Sequence, residues 1–526
     1  MPGLSASGGC EQVGGWPSGL WPRTMKKAGH STRPLGSNVM HHRGNGSRGA
    51  VLLCGTLIWG LLGSVALGQL TATQKADIGF TALENRLGAS MPLGIGVSVS
   101  QVEALDGSGN YRVNTADAQL TGKTFQFPSG GSTGVSGHAT TVGRYLYGTE
   151  SLAPRVGATT DGSTVANYEV NNWLGSGFLN SSNSALLPDV ETRQLVNHSW
   201  VGNTGNTTTD TTILNRADYA VQRDGTIATY ALNNGSGTTI PALMASTYNG
   251  IVVGLSSGNH SRGTTTIDGA GRQKPDIVVP TSFTSWATPS VASGAALLWE
   301  VADTTAGLAN GKEAEAVKSL LMAGATKQGS NLPGTWTWSH TSTEPLDSIY
   351  GAGQMNVEVS YDILTAGEFA ASGATLADST GWDFGSASST ASQLYFFDVG
   401  SEFDGGQVTA SLNWQRTMTA NDTQPGQGTN YVFSGNLANL DLNLYSATGF
   451  TLDTLLAQSI SSLDNTELIW ETGLSAGRYA LEVTSDTDSI DYGVAWTVAV
   501  PEPATWALAV VAAIGFAAAG HRLRSR

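Results

Sequence analysis

Thr284-Ser285-Trp286-Ala287-Thr288-Pro289, continued by SVASGAALL to Leu298, is the most informative stretch of this 526-residue chain. It sets a serine just ahead of a run of small residues with helical spacing. A hydroxyl at that place is presented at a helix N-terminus, where unpaired N–H groups favour negative charge developing beside it. Pro289 is expected in the opening turn, where its missing N–H costs nothing. The small residues that follow let such a helix run close to neighbouring strands.

Working outward, the runs GIGVSVSQVE (94–103), NGIVVGLSS (249–257) and PDIVVP (275–280) have the composition of buried strands. TPSVASGAALLWEVA (288–302) and KEAEAVKSLLMAGA (312–325) have helical spacing. Strand-like and helix-like runs alternate over residues 93–366, the pattern of an α/β domain built on a parallel sheet in three layers. A short helical segment over 69–92 is expected to precede it. From about Ser372 the helical period disappears. SQLYFFDV, QVTASLNW, NLDLNLYS, ELIWETG and GRYALEVTS alternate as short strands between Gly, Asp and Asn turns. Residues 367–499 therefore predict an all-β sandwich as an accessory domain.

Charge separates the ends from the middle. Residues 1–68 hold six Lys/Arg and one Glu, residues 504–526 three Arg and no acid, and the 435 residues between them 17 Lys/Arg against 40 Asp/Glu, a net of −23. Such a field repels phosphate backbones, so nucleic acid is excluded as a partner. Lys26, Lys27, Arg33, Arg43 and Arg48 precede the apolar stretch from Ala50 to Leu62, and Ala66-Leu67-Gly68 offers small residues for a cut before Gln69. Residues 1–68 thus predict a signal peptide with a long n-region. Both cysteines, Cys10 and Cys54, fall inside it, which leaves no disulfide and no thiolate metal site downstream. At the other end, Pro501-Glu502-Pro503 is followed by ATWALAVVAAIGFAAAG (504–520), which predicts a transmembrane helix, and by the basic HRLRSR. This three-part tail, 500–526, resembles the PEP-CTERM sorting signal. The resemblance implies transient membrane anchoring, processing by signal peptidase and an exosortase, and release to the cell surface or an exopolysaccharide matrix.

Acyl-transfer hydrolysis needs a nucleophile, an imidazole base, an orienting carboxylate and oxyanion donors. TSWATPSVASGAALL resembles the serine box of subtilisin-like peptidases, and GRQKPDIVVP (271–280) the segment that precedes that box in them. GHATTVGRYLYG (137–148) is similar to their histidine box, QLVNHSWVG (194–202) to the strand lining the substrate cleft, YALNNGSG (230–237) to the loop of the oxyanion hole, and YGAGQMNV (350–357) to the close of the catalytic domain. Six segments follow the family's order. The resemblance implies a subtilisin-like serine endopeptidase acting on proteins or peptides, with Ser285 as nucleophile, His138 as base and Asn234, closely followed by Asn233, as the oxyanion side chain. Trp200 and Val201 are expected to line the pocket for an apolar substrate side chain. His198 and His260 are expected to be structural.

The chain departs from the family at the acid. The family's Asp ends a strand of the form V-x-V-x-V-x-Asp, whereas this strand reads I-G-V-S-V-S-Gln101-Val102-Glu103. Alternate residues of a strand share a face, so Ile95, Val97, Val99, Gln101 and Glu103 are expected to point the same way. Glu103, one pleat further along and one methylene longer, is the first candidate acid; Asp106 on the following turn is the second. Phe283 stands where the serine box normally begins with Gly, Ala139 follows the His in place of Gly, and Thr141 replaces a second His. These departures support an alternative: a catalytically impaired, subtilase-fold surface or matrix-binding protein. The reaction requires no cofactor or metal. Structural calcium is frequent in the family, with no ligand assignable here, and Asp441 and Asp464 read as turn and strand-edge residues.

Overall fold

A computed structural model of the chain describes Ser5–Gly8 and residues 68–499, apart from residue 132 and the stretches 329–331, 333–335 and 426–427. The apolar stretch of the expected signal peptide and the Pro501-Glu502-Pro503 tail lie outside these residues. Among the described residues no helix is long and apolar enough to cross a membrane.

The β-branched runs read from the sequence are strands of a seven-stranded sheet in which every pairing is parallel. From edge to edge its strands are Ile277–Val279, Ile251–Leu255, Ile227–Ala231, Leu195–His198, Val99–Glu103, Val165–Glu169 and Phe125–Gln126. Parallel strands are apolar on both sides because helices cover both faces. On one face Val99, Leu195, Ile227, Val253 and Ile277 pack under the helices Gly137–Tyr147, Thr284–Thr304, Ala314–Ala323 and Val357–Ala366. On the other, Val102, Val196, Ala228 and Val252 pack against Ile213, Leu214 and Ala217 of the helix Thr207–Asp224. Each such buried aliphatic side chain contributes about 1.5–3 kcal/mol relative to exposure. This is the α/β architecture expected of residues 93–366.

The sheet order also locates a crevice. The first strand of this sheet in the chain, Val99–Glu103, lies beside its fourth, Leu195–His198; from the fourth the chain steps outward to Ile277–Val279, whereas on the other side it forms the edge strand Phe125–Gln126 before Val165–Glu169 fills the place between. Ligand sites of open α/β sheets form at the carboxyl ends of strands where the winding reverses. Glu103 and His198 stand at those two ends.

Several local expectations are corrected. The segment before residue 92 is two helices, Ala72–Asp77 and Phe80–Leu87, parted at Gly79. Gly79 has φ of +75°, and a Cβ there would collide with Asn356 Oδ1, so the break is built into the packing. The serine helix starts at Thr284, four residues before the expected start, which carries Pro289 beyond its first turn. Its missing N–H therefore leaves the Ser285 carbonyl without the usual i+4 donor.

The β-region is a sandwich, as expected. One sheet has the order Leu376–Ala377, Gln393–Val399, Gly477–Ser485, Leu440–Thr448, Thr451–Ser459. The other has the order Thr380–Ala387, Ile490–Ala499, Gly406–Trp414, Thr466–Leu474. Tyr395, Phe397, Leu442, Val408, Ala410 and Trp496 fill the space between them. The outer face of the second sheet is covered as well: Trp382, Leu468 and Ala495 merge into the core of the α/β part. The Trp382 indole donates to the Leu364 carbonyl at 2.9 Å and Ser319 Oγ to that of Gly493 at 2.7 Å. Arg416, on the link to a hairpin that the sequence did not reveal (Thr417–Asp422 with Tyr431–Asn436), pairs with Asp218 at 2.9 Å and Asp268 at 2.8 Å. The sandwich is thus joined to the α/β part through a shared core.

Candidate active site

Period-2 alternation puts Glu103 on the sheet face that carries the helix Gly137–Tyr147. That helix starts where Ser136 caps it, accepting the Ala139 N–H at 3.2 Å, so His138 falls in its first turn, directly over the strand end. Glu103 Oε2 meets His138 Nδ1 at 2.8 Å. The carboxylate is fully buried and the imidazole about one-fifth exposed. Burial works against a charged imidazole here, but the charge and the hydrogen bond of Glu103 outweigh it and hold the His138 pKa above its ordinary 6.5. With Nδ1 donating to Glu103, Nε2 is left as the basic lone pair, and among the described residues it has no hydrogen-bond partner.

Ser285 occupies the first turn of Thr284–Thr304 and is 4 % exposed. Phe283 provides no side-chain cap for this helix. The cap comes from the loop after Ile227–Ala231: Asn234 Oδ1 accepts from Thr284 N at 2.9 Å and from Thr284 Oγ1 at 3.1 Å. The Thr284 N–H, which can only donate, fixes the orientation of the carboxamide, while the Thr284 hydroxyl has its nearer acceptor in the Leu232 carbonyl at 2.7 Å; the NH₂ is left to donate outward, next to the Ser285 N–H that first-turn geometry leaves without a carbonyl. The loop is itself anchored, with Asn233 N donating to Ser261 Oγ and Gly235 N to the Asn259 carbonyl. Ser285 Oγ donates to the Ser199 carbonyl at 3.3 Å, with no hydrogen bond to His138. Catalytic hydrogen bonds of this kind are often made only once substrate is bound.

An aromatic row flanks His138. Trp286 lies parallel to Tyr145 with ring centres 5.7 Å apart, meets the His138 ring at 5.3 Å, and has Phe283 edge-on at 6.1 Å. Phe283, 37 % exposed, forms the outer end of the row. The sequence marked Phe283 only as a departure and did not reveal the row, which joins residues from two helices.

The remaining sequence-derived residues divide as follows. Asp106 does not approach His138; its carboxylate accepts the N–H groups of Ser108 at 2.8 Å and Asn110 at 2.9 Å in its own turn. Trp200 is 1 % exposed, donates its indole N–H to His198 Nδ1 at 3.1 Å and belongs to the core under the sheet, so its side chain does not line a substrate pocket. Val201 is half-buried on the strand Trp200–Asn203, which presents its backbone edge instead. Ser5–Gly8 pairs with that edge antiparallel, Gly8 opposite Trp200 and Ser5 opposite Asn203. His260 is structural: Nδ1 accepts from Leu255 N at 3.0 Å, Nε2 faces the Ile349 carbonyl at 3.0 Å, and burial pushes its pKa down to about 4. His198 is held neutral by burial, its pKa down to about 3, yet its Nε2 is unpartnered among the described residues, contrary to the expectation of a satisfied ring. No group of three or more His, Cys, Asp or Glu among the described residues is arranged to hold a metal ion.

No protein-family model and no curated protein matches the chain. Among solved structures it is similar to the patellamide maturation protease PatA, at 17 % identity over 52 % of this chain and 98 % of that one, with a TM-score of 0.34. It is similar also to fervidolysin from Fervidobacterium pennivorans, a keratinolytic enzyme related to subtilisin, at 12 % identity over 80 % and 76 % of the two chains, TM-score 0.33. A third is the psychrophilic subtilisin-like protease Apa1 from the Antarctic psychrotroph Pseudoalteromonas sp. AS-11, at 12 % identity over 56 % and 98 %, TM-score 0.35.

Proposed function

We propose that the chain is an exported subtilisin-like serine endopeptidase that works through a Ser285–His138–Glu103 triad. The observation that carries this reading is the 2.8 Å contact between a fully buried carboxylate and the Nδ1 of an imidazole whose Nε2 is left unpartnered. Building such a pair into a sheet crevice serves stability poorly and general-base catalysis well. Ser285 Oγ attacks the peptide carbonyl as Nε2 takes its proton. Glu103 keeps the Nδ1–H tautomer and balances the imidazolium, which then protonates the leaving amine. The Ser285 N–H and the Asn234 NH₂ receive the oxyanion. Substrate lies extended along Trp200–Asn203, an edge that the Ser5–Gly8 pairing supports as able to accept a strand.

Export through the signal peptide, sorting by the C-terminal tail with signal peptidase and an exosortase as processing enzymes, and a surface or exopolysaccharide-matrix location belong to the same proposal and rest on the sequence of the two ends. The proposed chemistry uses the chain's own side chains and the Ser285 backbone N–H. A fluorophosphonate probe tests it: labelling of the native chain, lost in Ser285→Ala together with peptide hydrolysis, is expected. A folded native chain that neither labels nor hydrolyses any peptide library would establish the alternative, a subtilase-fold binding protein.

A further inference from the structure

Glu103 is held by more than His138. Gln101, two residues earlier on the same strand face and fully buried, donates one Nε2 hydrogen to Glu103 Oε1 at 2.8 Å and the other to the Ala139 carbonyl at 2.8 Å. Its Oε1 accepts the hydroxyl of Tyr147, also fully buried. The orientation of the amide is forced, because a carboxylate and a carbonyl can only accept, so the NH₂ must face them and Tyr147 must donate. Both Glu103 oxygens are then engaged, Oε1 by Gln101 and Oε2 by His138. The Ala139 carbonyl belongs to the residue after His138, so one side chain ties the acid and the turn that carries the base to each other. Tyr147 closes the unit from the last turn of that helix.

A glutamate has one more rotatable bond than an aspartate, and a general acid–base pair loses effect when it drifts by an ångström. We propose that Gln101, braced by Tyr147, is the positioning residue that locks the longer acid in the rotamer aiming Oε2 at His138 Nδ1. This deepens the triad reading and rests on it. Glu103 is the charge that acts on His138, the phenols of Tyr145 and Tyr147 are kept protonated by burial, and Arg144 on the same helix is engaged by Asp117.

Two opposing effects give the proposal a sign. If Gln101 only drew charge from the carboxylate, removing it would make Glu103 more basic and raise the pKa of His138. If it positions the carboxylate, removing it loosens the Glu103–His138 bond, burial prevails, and the pKa falls.

The experiment is an NMR titration of His138 in the native chain, Gln101→Leu and Tyr147→Phe, with kcat and KM of each against a chromogenic peptide per fluorophosphonate-titrated site. The expected result is titration of His138 at lower pH in both variants, more so in Gln101→Leu, with kcat per site down about 10- to 100-fold and KM little changed. A His138 titration that is unmoved or displaced upward in the milder Tyr147→Phe variant, which keeps the strand residue, overturns the proposal. Loss of protein yield with unchanged kcat per site also overturns it, since a purely structural role would do that. Failure of the protease reading is distinct: the native chain would show no turnover, while the His138 titration would still report on Gln101.

Discussion

Replacing Glu103 by Gln tests the site most sharply, because the neighbouring network dictates what the new amide does. Gln101 Nε2 can donate only to an oxygen, so the amide oxygen of the new side chain is held at the present Oε1 position and its NH₂ is turned toward His138 Nδ1. Nδ1 must then accept. The imidazole proton moves to Nε2, and the base is in the tautomer that cannot receive the Ser285 proton. The charge is lost as well. With roughly 4 Å between the centres and an effective dielectric near 20, the attraction between carboxylate and imidazolium is about 4 kcal/mol, close to a thousandfold in rate at about 1.4 kcal/mol per decade. The wrong tautomer adds roughly another decade, in line with the loss of about 10⁴ typical when a triad acid becomes an amide. The pH profile moves too. In the native chain Glu103 raises His138 above 6.5, so the acid limb of kcat/KM lies above that value; with the charge gone, burial alone remains and the limb falls below it. The assay is kcat/KM on a chromogenic peptide across the neutral pH range, normalised to folded protein. A loss under about tenfold with the limb unmoved would refute the reasoning.

Other variants probe separate parts of the chain. Asn234→Ala should lower kcat by about 10²–10³ with KM little changed, as for removal of one oxyanion donor, and thermal melting measures the accompanying loss of the Thr284 cap. Arg416→Ala leaves Asp218 buried without its cation and should cost about 3–5 kcal/mol in chemical denaturation. Gly79→Ala forces a side chain into left-handed backbone against Asn356 and should destabilise by more than about 1 kcal/mol, read as a lower denaturation midpoint. Trp382→Ala opens a cavity between the two parts of the chain and should cost about 3–5 kcal/mol, in a melt that stays a single transition.

The α/β sheet was legible because its strands are buried on both faces and therefore read as continuous apolar runs. Glu103 was legible from two signals together: the resemblance marks its strand, and alternation requires that once Val99 faces the core, residue 103 share its side. Gln101 lay on that same face and carried the same signal, but a glutamine in a strand announces no partner, and Tyr147 enters only through tertiary contact. Trp200 misled for the opposite reason. It stands beside the cleft strand in sequence, yet its large apolar ring and its indole bond to His198 draw it under the sheet. The shared core of sandwich and α/β domain was hidden because alternation shows that a strand has two faces and not what covers the second. In Thr466–Leu474, Leu468 and Ile469 face different cores.

The strand Ile490–Ala499 gives the fold an order of completion. It is the last element described, yet it lies between Thr380–Ala387 and Gly406–Trp414 in its sheet, and at Gly493 it passes so close to the Glu315 carbonyl that any side chain would collide. A chain emerging N-terminus first, from a ribosome or a pore, brings out Glu103, His138 and Ser285 long before this strand. Until residue 499 is free, the helix Ala314–Ala323 lacks its cover and Trp382 and Leu468 stay open to water, so the core behind the nucleophile's helix cannot close. On the proposed function such a layout keeps the enzyme unfinished while it is still threaded, and a nascent chain halted before residue 490 should remain inert and sensitive to added protease, whereas one halted beyond 499 should resist it.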